Sequence, residues 1–351
     1  MMNVATSGSS PKSVNPHRWA LVLAAGEGRR LRSLTTTPAG ISVPKQFCSL
    51  HGGSSLLDDA VRRAQAIVMP QHVCAVVAAD HRHWWTSLSE SIPLANIIVQ
   101  PDNRGTANGL LLPLLHIFRR DPEAILLVLP SDHYVRNEGV LAATLADTAA
   151  HLESGCADIV MLGLTPEEAD TELGYILPAG GADVGGASHI SSFAEKPDGP
   201  QARELIGQGG LWNSFIFLAR ASALVQLFER QFPEIVMEMR GVLEHSGHDP
   251  QGGPSLAELY RRLPVIDFSR DVVERFARQF KVMRVPPCGW SDLGTPRRVA
   301  EVLNRAEVPN RGRRSHRAGV SGERYVGGFL DLASQYLEWQ SQVPASRGMM
   351  T

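Results

Sequence analysis

Trp19-Ala20-Leu21-Val22-Leu23-Ala24-Ala25-Gly26-Glu27-Gly28-Arg29-Arg30-Leu31 is the stretch whose reading decides the fold. Its first seven residues are apolar without a break. That suits a strand buried on both faces, as in a parallel sheet, rather than one with a wet side. The run passes straight into Gly26-Glu27-Gly28, where missing side chains let backbone N–H groups close on an anion. A Gly-x-Gly pair alone fits a tight turn or a dinucleotide site equally well. The dinucleotide fingerprint needs a third glycine where Leu31 stands, and no Gly-Lys-Ser/Thr follows at the spacing of an ATPase phosphate loop. What does follow is cationic: Arg29, Arg30 and Arg32, then Pro44-Lys45-Gln46-Phe47 beyond a loop holding Thr35, Thr36, Thr37, Pro38 and Gly40. Such a cluster around a glycine turn carries enough charge to neutralise a triphosphate.

Outward from there, short apolar runs at 73–79, 97–100 and 125–130 alternate with helical patterns at 56–67, 83–91 and 106–119. Strand–helix alternation predicts an α/β fold on a parallel sheet. The second half is less regular. Strands are expected at 159–164, 174–177, 189–195, 214–218 and 280–285, with a Gly/Ala-rich turn at 179–187. Helices are expected at 221–231, 234–245, 255–262 and 271–279, with a loop at 247–254. The spacing predicts one domain over 17–305. Residues 1–16, rich in Ser, Asn and Pro, read as disordered. Residues 306–351 read as a solvated linker carrying Arg311, Arg313, Arg314, His316 and Arg317, then a helix at 329–339. The apolar spacing of that helix suits docking on the core or on a second subunit, which leaves room for a homo-oligomer.

The chain has 351 residues, 43% of them hydrophobic, and a formal net charge of −2. That is enough apolar content for a large core, and it excludes a general nucleic-acid binder, which needs a basic excess. The four cysteines form no Cys-x-x-Cys pair, so no zinc site is expected, and Cys74 and Cys156 read as core residues. No apolar stretch is long enough to cross a bilayer, and the N-terminus lacks the apolar region of a signal peptide. A cytoplasmic protein with no membrane partner is the expectation.

Three further segments carry chemistry. Gln100-Pro101-Asp102-Asn103-Arg104-Gly105-Thr106-Ala107 joins a strand to a helix. There Gln100 has an amide able to read a base edge, Gly105 permits close stacking, and Thr106 suits a helix N-cap. Leu127-Val128-Leu129-Pro130-Ser131-Asp132-His133 ends an apolar strand in an acid, where open sheets gather their ligands. Next to an anionic substrate that acid implies a cation, and Mg²⁺ takes one or two carboxylates plus phosphates. Trp290-Ser291-Asp292-Leu293-Gly294-Thr295-Pro296 supplies a second acid before a helix. Thr295 with Pro296 is the better cap there, which frees Asp292.

Taken together, Leu23 to Leu31 followed by Pro44-Lys45 resembles the sugar-phosphate nucleotidyltransferase family, whose signature is Leu-Ala-Gly-Gly-x-Gly-x-Arg-Leu and then Pro-Lys. The likeness spans roughly residues 19–305. The Pro-Lys-Gln-Phe form and the Gln100–Ala107 segment look like its mannose-1-phosphate guanylyltransferase branch. The resemblance implies a Rossmann-like nucleotidyltransferase fold: a mixed, mostly parallel central sheet, helices on both faces, and a smaller sugar-binding β region. It implies transfer of a nucleoside monophosphate from GTP, or another NTP, to a sugar 1-phosphate, with release of pyrophosphate. UTP or dTTP with glucose 1-phosphate, or a paralogue that binds sugar nucleotides without turnover, remain alternatives. By motif, Arg30 and Lys45 would hold the triphosphate, and Asp132 and Asp292 would share one Mg²⁺. Ala24, Ala25, Gly26, Gly28, Gln100, Gly105, Thr106 and Ala107 would take the nucleotide. Gly174, Tyr175, Glu195, Lys196 and Asn213 would take the sugar phosphate.

The chain departs from the pattern at three places. Ala25 stands for the second glycine. Asn108-Gly109 stands for Pro-Ala, which is expected to loosen the first helical turn. Phe215 stands for a glycine after Trp212-Asn213-Ser214, where a ring would narrow the sugar pocket. Longer relatives add a C-terminal isomerase domain, for which residues 306–351 are too few.

Overall fold

The computed structural model describes residues 15–37, 40–50, 53–180, 186–245, 250 and 253–307. Residues 1–14, the linker and helix expected within 306–351 beyond Glu307, and parts of the 179–187 turn and the 247–254 loop lie outside them. In chain order the strands are β1 (Arg18–Ala24), β2 (Val73–Ala78), β3 (Ile97–Gln100), β4 (Ile125–Pro130), β5 (Tyr134–Val135), β6 (Ile159–Leu164), β7 (Tyr175–Pro178), β8 (Ala187–Ala194), β9 (Leu211–Arg220), β10 (Lys281–Val285) and β11 (Trp290–Ser291).

Nine of them form one sheet in the order β3-β2-β1-β4-β9-β6-β10-β8-β7, while β5 and β11 pair separately. The half from β3 to β4 is parallel, as the continuous apolar runs required. In the other half only β6 and β10 pair parallel. Strand β9 runs antiparallel to β4 and β6, and β8 runs antiparallel to β10 and β7. The sheet is therefore mixed and mostly parallel in direction, since only β8 and β9 run against the other seven strands. Strand β7 also returns to β9 through Tyr175↔Trp212 and Ile176↔Leu211, so this half curls back on itself.

Side-chain alternation splits β1 and β4 between two cores. Trp19, Leu21, Leu126 and Val128 face the helices Gly105–Arg120 and Ala221–Gln231. Ala20, Val22, Leu127 and Leu129 face Leu56–Gln65 and Glu138–Glu153. Each fully buried Leu or Val there contributes about 1.5–3 kcal/mol relative to exposure. A third cluster, Leu31, Val43, Leu50, Leu293, Val299 and Leu303, packs the loop around Lys45 against the helix Pro296–Glu307.

Several local expectations are corrected. Residues 83–91 form two short turns, Arg82–Trp85 and Thr86–Glu90, rather than one helix. Residues 271–279 divide among a wide turn at Phe268–Val273, Glu274–Phe276 and Ala277–Gln279. Arg104, not Thr106, is the N-cap of Gly105–Arg120. That helix also runs unbroken through Asn108-Gly109, because the Asn108 amide donates to the carbonyls of Arg104 (2.7 Å) and Pro264 (2.9 Å). Cys156 is exposed, whereas Cys48, Cys74 and Cys288 are buried. Among the described residues no helix is long and apolar enough to cross a membrane.

Candidate active site

From β1 the chain moves to β2 and β3 on one side, and β4 lies on the other side of β1. Strand order reverses there, and the crevice beyond the carboxyl ends of β1 and β4 is where such sheets hold ligands. Gly26-Glu27-Gly28 leaves β1 at this point, and Ser131-Asp132-His133 leaves β4. Gln46, almost fully buried, clamps the glycine turn by donating to the carbonyls of Ala24 (3.0 Å) and Gly26 (2.9 Å). Gly28 lies against Lys45.

The two acids, 160 positions apart, are brought together by a two-residue ladder. Strand β11 pairs antiparallel with β5 through Trp290↔Val135 and Ser291↔Tyr134, which sets Asp292 beside His133. Lys45 closes the junction. Its buried ammonium lies 3.0 Å from Asp132 Oδ2 and donates to the carbonyl of Asp292. The Asp292 carboxylate itself turns the other way. Its Oδ1 accepts from Arg298 (2.7 Å) and from the Gly294 N–H (3.0 Å). Arg298, also buried, donates its other Nη to Asp170. Burial alone would raise both carboxyl pKa values. Lys45 beside Asp132 and Arg298 beside Asp292 outweigh it and hold both below the ordinary carboxylate range. Burial pushes His133 down to about 4, so it is neutral at pH 7. Its Nδ1 then accepts the Trp290 indole N–H at 3.3 Å.

Toward β3 lies a cavity of about 270 Å³ bordered by Ala25, Gly26, Gln100, Gly105, Thr106, Gly109, Asp132 and Phe215, among others. Gln100 is 3% exposed. Its Nε2 donates to the carbonyl of Asp102 (2.7 Å), while its Oε1 has no partner. A Cβ on Gly109 would come within 3.0 Å of that oxygen. Gly105 has φ +85, and a Cβ there would strike the carbonyl oxygen of Ile266 at 2.2 Å, so only glycine fits. Its bareness serves that crossing of chains. The Thr106 hydroxyl accepts the Phe268 N–H (2.7 Å). The side chains of Ala24 and Ala107 pack into the cores, and neither residue borders the cavity. Arg30 is exposed and ion-paired with Glu172 at 2.7 Å.

On the far side of β9, Gly174 lies under Glu195, where a Cβ would come within 2.8 Å of Oε2. Strand β8 stops at Ala194, and Lys196 takes φ +50. Strand alternation is thereby broken at the point where two neighbours must share one side. Tyr175 is fully buried, and its hydroxyl bonds the N–H (2.8 Å) and carbonyl (3.0 Å) of Asp170. It braces the backbone of Asp170, whose carboxylate pairs with Arg298, and does not face the sugar side. Asn213 accepts the Phe215 N–H through Oδ1 (2.9 Å).

Burial, with Asp267 adding, pushes the Glu195 carboxyl up from 4.5 to about 7. Between those values the folded protein keeps a proton that the unfolded chain has lost. Stability therefore falls as pH rises through that window. A denaturant midpoint measured at pH 5 and pH 7.5 should show a loss on the order of 2 kcal/mol. Glu195→Gln, which mimics the protonated group, should flatten it. An unchanged slope in the variant would assign the loss elsewhere.

A family model described as nucleotidyl transferase matches residues 19–307. This chain belongs to the nucleotidyl transferase family. A solved structure titled mannose-1-phosphate geranyltransferase, from Thermus thermophilus, superposes with a TM-score of 0.67. It shares 30% identity, over 82% of this chain and 79% of that one. Among curated relatives, the alginate biosynthesis protein AlgA of Pseudomonas aeruginosa is 29% identical, over 78% of this chain and 56% of its own length. The mannose-1-phosphate guanylyltransferase of Escherichia coli is 28% identical, over 79% and 58%. The chain thus spans little more than half the length of these two curated relatives.

Within this nucleotidyl transferase, Arg298, Asp170, Gln46 and His133 are parts of the site that motif reading did not single out. Arg298 carried a signal only in being six residues beyond Asp292. Its contact with Asp170 joins positions 128 apart, which no local pattern reports. The described residues include three non-glycine residues with left-handed φ: Lys196, Phe215 and Leu293. All three fall in site segments. Each costs about 1–2 kcal/mol, and such strain gathers where function holds it.

Among the described residues no group of three or more His, Cys, Asp or Glu side chains converges as a metal cage. Of the two carboxylates held ionised, Asp132, half-exposed to the cavity, has the chemistry to take one hard cation shared with phosphates, and Asp292 would join it only by leaving Arg298.

Proposed function

We propose that this nucleotidyl transferase moves GMP from GTP to mannose 1-phosphate, forming GDP-mannose and pyrophosphate. The observation that carries this reading is the Asp132–Lys45–Asp292 junction set at the mouth of a nucleoside-sized cavity. The orphaned Gln100 Oε1 supports the base assignment, because an unpaired buried acceptor is costly and guanine offers N–H donors at its edge. The relative named mannose-1-phosphate guanylyltransferase supports the pair of substrates.

The reaction needs no general base. The second pKa of a phosphate monoester is about 6, so the sugar phosphate arrives as a nucleophile. Its oxygen attacks the α-phosphorus in line, and pyrophosphate leaves. The obstacle is repulsion between two polyanions. Lys45 lies at the junction. Arg30 and Lys196, on either side, carry the charge to approach the triphosphate and the sugar phosphate once Glu172 and Glu195 give way. Mg²⁺, when bound by Asp132 and Asp292, would supply further charge neutralisation. Fixed donors aimed at developing charge, and alignment of the two reactants, account for the acceleration. Free thiols at Cys48, Cys74, Cys156 and Cys288 suit a reducing, cytosolic setting.

The test is pyrophosphate release from a panel of GTP, UTP, dTTP, ATP and CTP against mannose and glucose 1-phosphates. GTP with mannose 1-phosphate should give the highest kcat/KM. A preference for UTP or dTTP with glucose 1-phosphate would replace the substrate assignment and keep the chemistry. Nucleotide-sugar binding with no turnover from any pair would sink both.

A further inference from the structure

We propose that Phe215 is the residue by which this chain selects its sugar 1-phosphate; the inference rests on the transferase reading above. Strand β9 shares one edge between two partners. Its end at Phe217–Arg220 pairs with β4, and its start at Leu211–Trp212 pairs with β7. Between them the register against β6 shifts, Gly163 pairing with Asn213 but Met161 with Phe217. Phe215 sits in that bulge with φ +57 and stands at the fork between β4 and β7. Bulges re-aim side chains at sites, and here the re-aimed side chain is large.

The ring borders the nucleotide cavity. It is braced edge-on by Phe217 at 6.3 Å and Phe268 at 5.9 Å, which stack on each other at 5.4 Å. None of the sugar-side residues Gly174, Glu195, Lys196 and Asn213 borders that cavity. The Phe215 N–H donates to Oδ1 of the sugar-side Asn213 at 2.9 Å while its ring borders the same cavity as Asp132, so Phe215 joins the two sides. A glycine would adopt this backbone without strain and leave the passage open. Retaining a phenyl ring at a left-handed position therefore has a purpose beyond the turn.

A phenyl ring offers no hydrogen bond. It accepts the C–H face of a sugar and penalises a hydroxyl pressed against it, which would lose its water. The wall thus favours acceptor sugars that present a C–H face, and it limits the bulk that fits between Asp132 and Glu195.

The experiment compares wild type with Phe215→Gly and Phe215→Leu on mannose, glucose and galactose 1-phosphates and their 6-deoxy counterparts, at saturating GTP. Phe215→Gly should lower the discrimination between the best and the rejected sugar phosphates by about tenfold or more. Its KM for GTP should shift less than its KM for the sugar phosphates, since Gln100 and Gly105 at the base end keep their places. Phe215→Leu keeps bulk without a ring and should fall between. It also serves if the glycine variant does not fold. Sugar ranking and sugar KM unchanged in both variants would overturn the proposal, as would an equal loss for GTP and every sugar. If wild type turns over no pair, the transferase reading fails on its own. Calorimetric titration of mannose 1-phosphate then reads the wall directly: an affinity changed about tenfold by Phe215→Gly supports it, and an unchanged one overturns it.

Discussion

Asp132→Asn is expected to cut pyrophosphate release roughly 10²–10³-fold, the usual cost of removing a fixed electrostatic group from a transition state. The fold should stay in place. Asparagine matches the shape of aspartate, the side chain opens on the cavity, and Lys45 keeps the carbonyl of Asp292 as an acceptor. What is lost is the negative charge that holds Lys45 and would face a divalent cation. Thermal melting within a few degrees of wild type, with turnover collapsed, is the expected pair of results. Near-normal turnover would show that the junction lies outside the reaction path.

Arg298→Met is expected to be the most destabilising single change in the site, by about 3–5 kcal/mol, because it strands two buried carboxylates. Asp170 and Asp292 are 8% exposed each and spend their charge on this one guanidinium. Urea denaturation should show the loss at pH 7. Adding Asp170→Asn to Arg298→Met should recover part of it, since one uncompensated charge is then gone. If the double variant is no more stable than the single, the arginine acts through packing on Trp212, over which it lies at 5.2 Å, and not through charge.

How far the sequence could be read depended on what kind of signal each element carries. Strands β3, β4 and β6 match their runs to the residue, because each is buried along its whole length. The helix Glu138–Glu153 escaped reading. It is rich in Ala and Thr with little polar contrast between faces, and its buried Thr144 and Thr148 satisfy their hydroxyls on carbonyls one turn back. Gly199–Gly207, bounded by glycines and opened by Pro200, escaped reading as well. In the site, motif residues were legible one segment at a time. Their mutual arrangement was not, since the ladder of β5 with β11 and the Asp170–Arg298–Asp292 link join distant segments. Asp267 caps the turn at Phe268–Val273, accepting the Arg270 N–H at 3.0 Å.

Strand β10, the last long strand among the described residues, is threaded into the middle of the sheet between β6 and β8. While the protein is still on the ribosome, the hairpin of β7 and β8 lacks the neighbour that joins β8 to β6 in the sheet. The slot beside β6 stays empty until residue 285 has emerged. Asp292 follows seven residues later. Non-local pairings form late because chain closure must precede them, so the finished half of the sheet and the second acid arrive together. A nascent chain stopped before this point would hold the glycine turn and Asp132 but no complete site, which confines any chemistry to molecules whose synthesis has passed the whole domain.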